Sequence, residues 1–134
     1  MILTDTGPLV ALIDPDEEDH TRCVTVLVSV VLPLVTTWAV MTEAMYLLGN
    51  ISWRAQDALW RLVLRGDVEL GHVGEQGLLR MHSHMQQNRD TPMDCADASL
   101  IVLAEQRSMT RIFTLDSHFH AYRLHGRQRL DVVP

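Results

Sequence analysis

The chain contains 134 residues, of which 47% are hydrophobic and 21% charged, a composition typical of one globular domain and unlike collagen, coiled-coil or disordered chains. The net charge is −6 and all 11 basic residues are arginines, which excludes general attraction to nucleic acid and any mechanism with a catalytic lysine. The longest apolar run (23–35) is shorter than the ~20 residues of a membrane-spanning helix, and no signal-peptide pattern is present, so we expect a cytoplasmic protein without membrane association.

Short apolar runs alternate with segments of helical periodicity along the whole chain. In chain order, the sequence predicts a strand over 1–4, a helix over 8–13, a helix over 20–31, a strand over 34–37, a helix over 38–48, a helix over 52–64, a strand over 67–72, a helix over 76–87, a helix over 94–107, a strand over 111–115, a helical turn over 117–122 and a strand over 130–133. The β-branched residues of segment 20–31 also allow a strand there.

This alternation predicts an α/β domain that extends over residues 1–134, since neither linkers nor repeats interrupt it. Helical crossovers between strands imply a parallel sheet that is covered on both faces. Ligands of such sheets bind beyond the carboxyl ends of the strands. Functional residues are therefore expected directly after strands or at the start of the next helix.

Five carboxylates lie in stretches that otherwise lack charged residues. They are Asp5, Glu43, Asp94, Asp97 and Asp116. Asp5 and Asp116 follow predicted strands, and Asp94 and Asp97 begin a helix one turn apart, on nearly the same face. Glu43 is expected to point inward from the second turn of its helix. Burial of a carboxylate is unfavourable unless it is paired, hydrogen-bonded or bound to a cation, and no basic residue lies in the same segments.

Several carboxylates at one sheet edge suit a hard ion such as Mg²⁺ or Mn²⁺. Zinc is disfavoured because neither Cys23 nor Cys95 belongs to a zinc-ligand pattern. The two cysteines fit a reducing compartment and are expected to be buried spacers.

Each acid also has a purely structural interpretation. Asp5 could form a turn into Gly7, Asp94 could cap a helix with Asp97 in its first turn, and Asp116 could cap the helical turn that follows it. Glu43 is the hardest of the five to explain in this way.

Four segments resemble motifs of the PIN domain family, the nuclease fold of VapC toxins in type II toxin–antitoxin systems. They are residues 3–9 (LTDTGPL), 36–44 (TTWAVMTEA), 93–100 (MDCADASL) and 113–119 (FTLDSHF). The resemblance implies a three-layer α/β/α fold with a mostly parallel five-stranded sheet in the order 3-2-1-4-5. It also implies Mg²⁺- or Mn²⁺-dependent cleavage of RNA, a homodimer and inhibition by a cognate antitoxin. Asp94 is an additional acid whose role the resemblance does not define.

Hydrolysis of a phosphodiester requires charge neutralisation at the phosphate and an activated water, and a divalent ion can supply both. We expect Asp5, Asp97 and Asp116 to be catalytic metal ligands. Glu43, also catalytic, could be a further ligand or could hold or deprotonate the attacking water. Asp94 could support a second metal ion.

Residues next to these acids are candidates for substrate binding. They are Thr6, Thr114 and Ser117, to which the C-terminal Arg123 and Arg127 are added as possible phosphate contacts. The hydroxyls could instead orient the acids or form turns and caps, and the arginines could belong to an ordinary solvated end. Trp53 and Trp60 share a helix face that suits the core or a dimer contact.

Two other functions were compared with the nuclease. A phosphoacceptor receiver domain needs a lysine late in the chain, and this chain has no lysine. A PIN-like module that binds RNA or a partner without catalysis stays open, and it would not cleave RNA in a magnesium-dependent way.

Overall fold

The computed structural model describes all residues from 1 to 134. Its strands are β1 (Ile2–Thr4), β2 (Leu34–Thr37), β3 (Val68–Gly71), β4 (Arg111–Phe113), β5 (Arg123–Leu124), β6 (Gln128–Arg129) and β7 (Asp131–Val133). Its helices are α1 (Thr6–Ile13), α2 (His20–Ser29), α3 (Trp38–Gly49), α4 (Trp53–Arg65), α5 (Gly74–Gln87), α6 (Cys95–Arg107) and a short 3-10 helix (Ser117–His120).

Five strands form one parallel sheet in the order β3-β2-β1-β4-β7. Helices α1 to α4 pack with one another, and α5 packs with α6. Right-handed crossovers place these two groups on opposite faces of the sheet, because the strand order reverses direction between β3 and β4. The predicted three-layer α/β/α fold and its strand order are therefore confirmed, with β7 as the fifth strand of the sheet.

Helix α6 is the central helix of the core. Every residue from 96 to 104 is buried, and burial of each large aliphatic side chain such as Leu100 or Ile101 contributes about 1.5–3 kcal/mol. The helix cannot slide without exposing this surface. Its N-terminus, with Asp97 in the first turn, is therefore held rigidly beside the sheet.

Most predicted elements are present, and local capping explains their boundaries. Helix α1 begins two residues earlier than predicted because the Asp5 carboxylate accepts a 2.8 Å hydrogen bond from the Thr6 N–H. Helix α4 begins after Ser52 and ends at Gly66, whose left-handed conformation (φ 87°) suits glycine. Segment 20–29 is a helix, not a strand.

The hairpin formed by β5 and β6 is the one element that was not predicted from sequence. His125 and Gly126 reverse the chain there in left-handed conformations, with φ values of 50° and 77°. The two strands have only two residues each, which is too short for an alternating pattern to indicate them. None of the helices combines the length and the apolar character that a membrane span requires.

Candidate active site

Five acidic side chains surround a single cavity of about 330 Å³ at the carboxyl edge of the sheet. Its lining consists of Asp5, Thr6, Gly7, Glu43, Leu47, Asp94, Asp97, Leu115 and Asp116. The acids come from four separate parts of the chain. Asp5 follows β1, Glu43 lies in α3, Asp94 and Asp97 begin α6, and Asp116 lies three residues after β4.

Pairing between β1 and β4 brings the first and last of these segments together. Thr4 lies opposite Phe113 in the parallel register, and the Asp5 N–H donates a 2.9 Å hydrogen bond to the Phe113 carbonyl. Both strands thus end at the same level. Since the two chain segments leave the sheet side by side, the acids that follow them face the same cavity.

Thr114 joins the two strand ends through its hydroxyl. Its Oγ1 donates a 2.8 Å hydrogen bond to Oδ2 of Asp5 and accepts a 3.0 Å hydrogen bond from the Asp116 N–H. The side chain is buried. Of the two roles considered from sequence, this geometry supports orientation of the acids, because the hydroxyl is held within the fold.

Asp94 and Asp97 form a reciprocal cap at the start of α6. Oδ1 of Asp94 accepts a 2.8 Å hydrogen bond from the Asp97 N–H, and Oδ2 of Asp97 accepts a 3.2 Å hydrogen bond from the Asp94 N–H. Oδ1 of Asp116 likewise caps the 3-10 helix through the His118 N–H at 2.9 Å. The structural roles considered from sequence are thus present, and they coexist with placement at the cavity.

Capping uses one oxygen of each of these three carboxylates. Oδ2 of Asp94, Oδ1 of Asp97 and Oδ2 of Asp116 accept no hydrogen bond from the protein. A carboxylate that is oriented through one oxygen can bind a ligand through the other.

Glu43 differs from its expected position. Its side chain is exposed at the rim of the cavity and does not point into the protein. The buried stripe of α3 passes through Val40, Ala44 and Leu48, so position 43 falls beside it. Glu43 shares the cavity face with Leu47, one turn further along the helix.

The surroundings of Asp5 disfavour its charged form. Burial raises the pKa of Asp5 from 3.8 to about 6, and the negative charges of Glu43 and Asp116 add to this rise. Hydrogen bonds from the Thr114 hydroxyl and the Thr6 N–H oppose it, because they stabilise the carboxylate.

The pKa values of Asp97 and Glu43 are raised as well. Burial and the neighbouring charge of Asp94 raise the pKa of Asp97 to about 7. Partial burial and the charge of Asp94 also raise the pKa of Glu43. The nearby Thr6 hydroxyl opposes this rise, although it forms no hydrogen bond with Glu43. Burial and mutual repulsion thus both favour the uncharged forms of these acids, and a bound cation would oppose both effects.

Thr6 carries the single buried side-chain oxygen of the structure without a hydrogen-bond partner. The residue is 6% exposed and lines the acidic cavity. A buried hydroxyl without a partner is unfavourable, so its position at the cavity favours a ligand or water there.

The other predicted substrate contacts have separate locations. Ser117 is exposed and lines a smaller cavity that adjoins the acidic one. Arg123 and Arg127, predicted as possible phosphate contacts, do not line the acidic cavity. Arg123 donates hydrogen bonds to the carbonyls of His120 and Tyr122, and Arg127 is exposed in the turn of the hairpin. The hairpin, which the sequence analysis missed, determines both positions.

Tyr122 and His118 also contact the acids, and Tyr122 had no predicted role there. The Tyr122 hydroxyl lies 3.3 Å from Oδ2 of Asp97 and also donates to the Pro92 carbonyl. Nδ1 of His118 lies 2.8 Å from Oδ1 of Asp116. No local pattern indicates Tyr122, because its hydroxyl meets a residue 25 positions away.

The acidic side chains surround the cavity without forming a compact cluster. No three His, Cys, Asp or Glu side chains have the close spacing of a formed metal site. Carboxylates that share a cavity repel one another, which opposes closer approach.

Comparison with known proteins assigns this chain to a family. The family model of the PIN domain matches residues 2–124. Ribonuclease VapC26 of Mycobacterium tuberculosis is 30% identical over 135 residues, which cover 99% of this chain and 100% of the relative.

Two solved structures share the fold. The crystal structure of Mycobacterium tuberculosis VapC20, a toxin that cleaves the sarcin–ricin loop, superimposes with a TM-score of 0.85 at 18% identity and 100% coverage of both chains. FitAcB from Neisseria gonorrhoeae gives a TM-score of 0.61 at 17% identity, with 88% of this chain and 89% of that chain covered. With the family model matching most of its length, the chain belongs to the PIN domain family of nucleases.

Proposed function

We propose that this PIN domain, formed by residues 1–134, is a divalent-metal-dependent endoribonuclease and the toxin of a toxin–antitoxin pair. The observation that carries the proposal is the convergence of five carboxylates on one cavity in a chain of this family. Similarity to a ribonuclease over nearly the whole chain supports RNA as the substrate. An RNA substrate places the proposed activity in the cytoplasm.

The residues at the cavity fit Mg²⁺ or Mn²⁺. Their donors are carboxylate oxygens, the ligands that hard divalent cations prefer. The pKa values of Asp5 and Asp97 are raised mainly by burial and further by neighbouring negative charges, and a bound cation would offset both effects. We assign Asp5, Asp97 and Asp116 as metal ligands, with Asp94 available for a second ion. The bound ion would neutralise the phosphate and acidify a water molecule.

Glu43 is the acid best placed to act on the attacking water. It lies at the exposed rim, where substrate and water enter, and its pKa is raised by burial and by Asp94. A carboxylate with a raised pKa is a better general base. In the proposed reaction Glu43 accepts a proton from water and the water oxygen forms a bond to phosphorus. The P–O bond to one ribose oxygen breaks, and that oxygen leaves and takes up a proton from solvent.

Cleavage of total RNA by the purified protein, titrated with Mg²⁺ and with Mn²⁺, tests this function. Wild type should cleave only with a divalent ion, and Asp5→Asn and Glu43→Gln should each lose at least about 100-fold in kcat. Glu18→Gln is the matched control, because Glu18 is exposed and lies outside the cavity. Equal cleavage by wild type and Glu43→Gln would refute the assignment, and RNA binding without any cleavage would indicate a binding module.

The proposal includes a homodimer and a cognate antitoxin. Trp53 and Leu64 on α4 are 66% and 80% exposed, so this helix face offers apolar surface for a second copy. Light scattering of wild type and Trp53→Ser tests the dimer. Equal masses for the two proteins would exclude this face as the dimer contact.

A further inference from the structure

A second cavity of about 150 Å³ adjoins the acidic one. The two share Leu115 and Asp116 as a common wall. The remaining lining of the second cavity includes Arg22, Ser117 and His120. Cationic and hydrogen-bond-donating groups thus lie directly beside the cluster of carboxylates.

These three side chains have donor groups to spare. The Ser117 hydroxyl and the His120 ring form no hydrogen bond within the protein. Arg22 has one ion-pair partner, Asp19, at 3.5 Å from Nη1, and its side chain is 59% exposed. Such an exposed pair is weak, so a phosphate could compete with Asp19 for the guanidinium.

Arg22 can supply the cationic contact with RNA that the lining of the acidic cavity lacks. An RNA strand needs cationic contacts to approach a protein of net charge −6. Arg54 and Arg80 also line cavities, but those cavities share no residue with the acidic one. Of these three arginines, Arg22 is therefore the one placed to hold a strand whose next phosphate lies among the acids.

We infer that this second cavity binds a phosphodiester group of the RNA strand adjacent to the one that is cleaved. Arg22 supplies the charge, and Ser117 and His120 supply hydrogen bonds. Arginine suits this task because its planar guanidinium can contact two phosphate oxygens at once. The inference rests on the proposed ribonuclease function, and it adds Arg22 to Arg123 and Arg127 as an expected phosphate contact.

The test compares Arg22→Ala and Arg22→Lys with Arg61→Ala. Arg61 is the matched control, because it is also exposed on a helix and paired with an aspartate, Asp57, but lies outside both cavities. Binding of a short fluorescein-labelled single-stranded RNA is measured by anisotropy over a range of salt concentrations. These measurements use the Asp5→Asn background with Mg²⁺, so that the probe stays intact. The same substitutions in otherwise wild-type protein give kcat and KM.

Arg22→Ala should raise Kd and KM by about tenfold and leave kcat within about twofold. The fall of log K with log salt should become less steep by about 0.7, the value for one phosphate of a single strand. Arg22→Lys should keep the wild-type slope, because the charge remains. Arg61→Ala should match wild type.

Three results would overturn the inference. They are equal Kd values for Arg22→Ala and Arg61→Ala, a loss of kcat with unchanged KM, and a slope in Arg22→Lys as low as in Arg22→Ala. Failure of the ribonuclease proposal has a different signature. Wild type would then bind the labelled RNA but leave it uncleaved, and the comparison of Kd values would still decide about Arg22.

Discussion

The Thr114 hydroxyl donates a 2.8 Å hydrogen bond to Oδ2 of Asp5, across 109 positions of the chain. The same oxygen accepts the Asp116 N–H at 3.0 Å, so one buried side chain orients acids at the ends of β1 and β4. This bridge restricts the Asp5 carboxylate directly and holds the backbone of Asp116 beside it. Thr114, which does not line the acidic cavity, therefore helps to position both acids.

Replacement of Thr114 by valine keeps the shape of the side chain and removes this bridge. We expect a loss of about 1–3 kcal/mol in the free energy of unfolding and of about 10–100-fold in Mg²⁺ affinity. Urea denaturation and isothermal titration with Mg²⁺ measure the two effects. Thr36→Val is the control, because Thr36 is equally buried and donates a 2.8 Å hydrogen bond to the backbone carbonyl of Thr4 and none to the five carboxylates. Equal Mg²⁺ affinities for the two variants would contradict a positioning role for Thr114.

Tyr122→Phe removes a hydroxyl that lies 3.3 Å from Asp97 and preserves the packed ring. We expect kcat for RNA cleavage to fall about tenfold, because Asp97 loses a group that restricts its orientation. Thermal unfolding should show a small loss of stability. Tyr46→Phe, at a position that is 71% exposed, should match wild type in both measurements. An unchanged kcat in Tyr122→Phe would show that the capping contacts alone orient Asp97.

The raised pKa values predict how stability depends on pH in the metal-free protein. Between about pH 4 and 7 the unfolded chain releases the protons of Asp5 and Asp97 while the folded chain retains them. The free energy of unfolding should therefore fall as pH rises through this window and level off above it. A rise of the Asp5 pKa from 3.8 to about 6 corresponds to about 3 kcal/mol.

Asp97→Asn should remove the loss of stability that ionisation of Asp97 causes in the folded protein. With a chelator present at about pH 8, the variant should be more stable than wild type by about 2 kcal/mol, and the difference should vanish near pH 4. Added Mg²⁺ should stabilise wild type more at pH 8 than at pH 5, because the ligands must be ionised. Urea denaturation at several pH values measures these differences. A free energy of unfolding that changes between pH 4 and 7 by the same amount in wild type and in Asp97→Asn would contradict the prediction.

The pKa of Glu105 is lowered, in contrast to the pKa values of Asp5 and Asp97. Arg80, His84 and the His125 N–H all donate hydrogen bonds to its buried carboxylate and lower its pKa to about 2 despite burial. Its contribution to stability is present above about pH 4 and is lost as pH falls toward 2. Glu105→Gln should reduce the free energy of unfolding by about 3 kcal/mol near pH 7, and by less near pH 3. Glu69→Gln removes a more exposed pair with Arg107 and should change stability by less than about 1 kcal/mol.

Prediction from sequence was most successful where the information is local. Alternation of apolar strands with helices predicts the α/β class, and Ser52 with Gly66 predicts the limits of α4. The strand order came from the resemblance to PIN domains. The hairpin after Tyr122 was missed because strands of two residues carry no periodic signal.

The five acids were selected from sequence because each interrupts an otherwise uncharged segment, and that property is visible without coordinates. The degree to which each acid is buried could not be predicted from sequence. Asp5 and Asp97 are buried while Glu43 is exposed at the rim, because burial depends on how α3 and α6 pack beside the strand ends. The sequence alone also could not separate capping from ligand binding, and in the structure capping uses one oxygen while the second stays free.

The amino-acid sequence by itself determined the class of fold and the set of acids, since apolar periodicity and isolated charges are properties of neighbouring residues. Only the tertiary structure decided which groups surround these acids. Thr114 and Tyr122 contact the acids across 109 and 25 positions of the chain, and Arg22 of α2 lines the neighbouring cavity. Such contacts join residues far apart in the chain, so no local pattern records them.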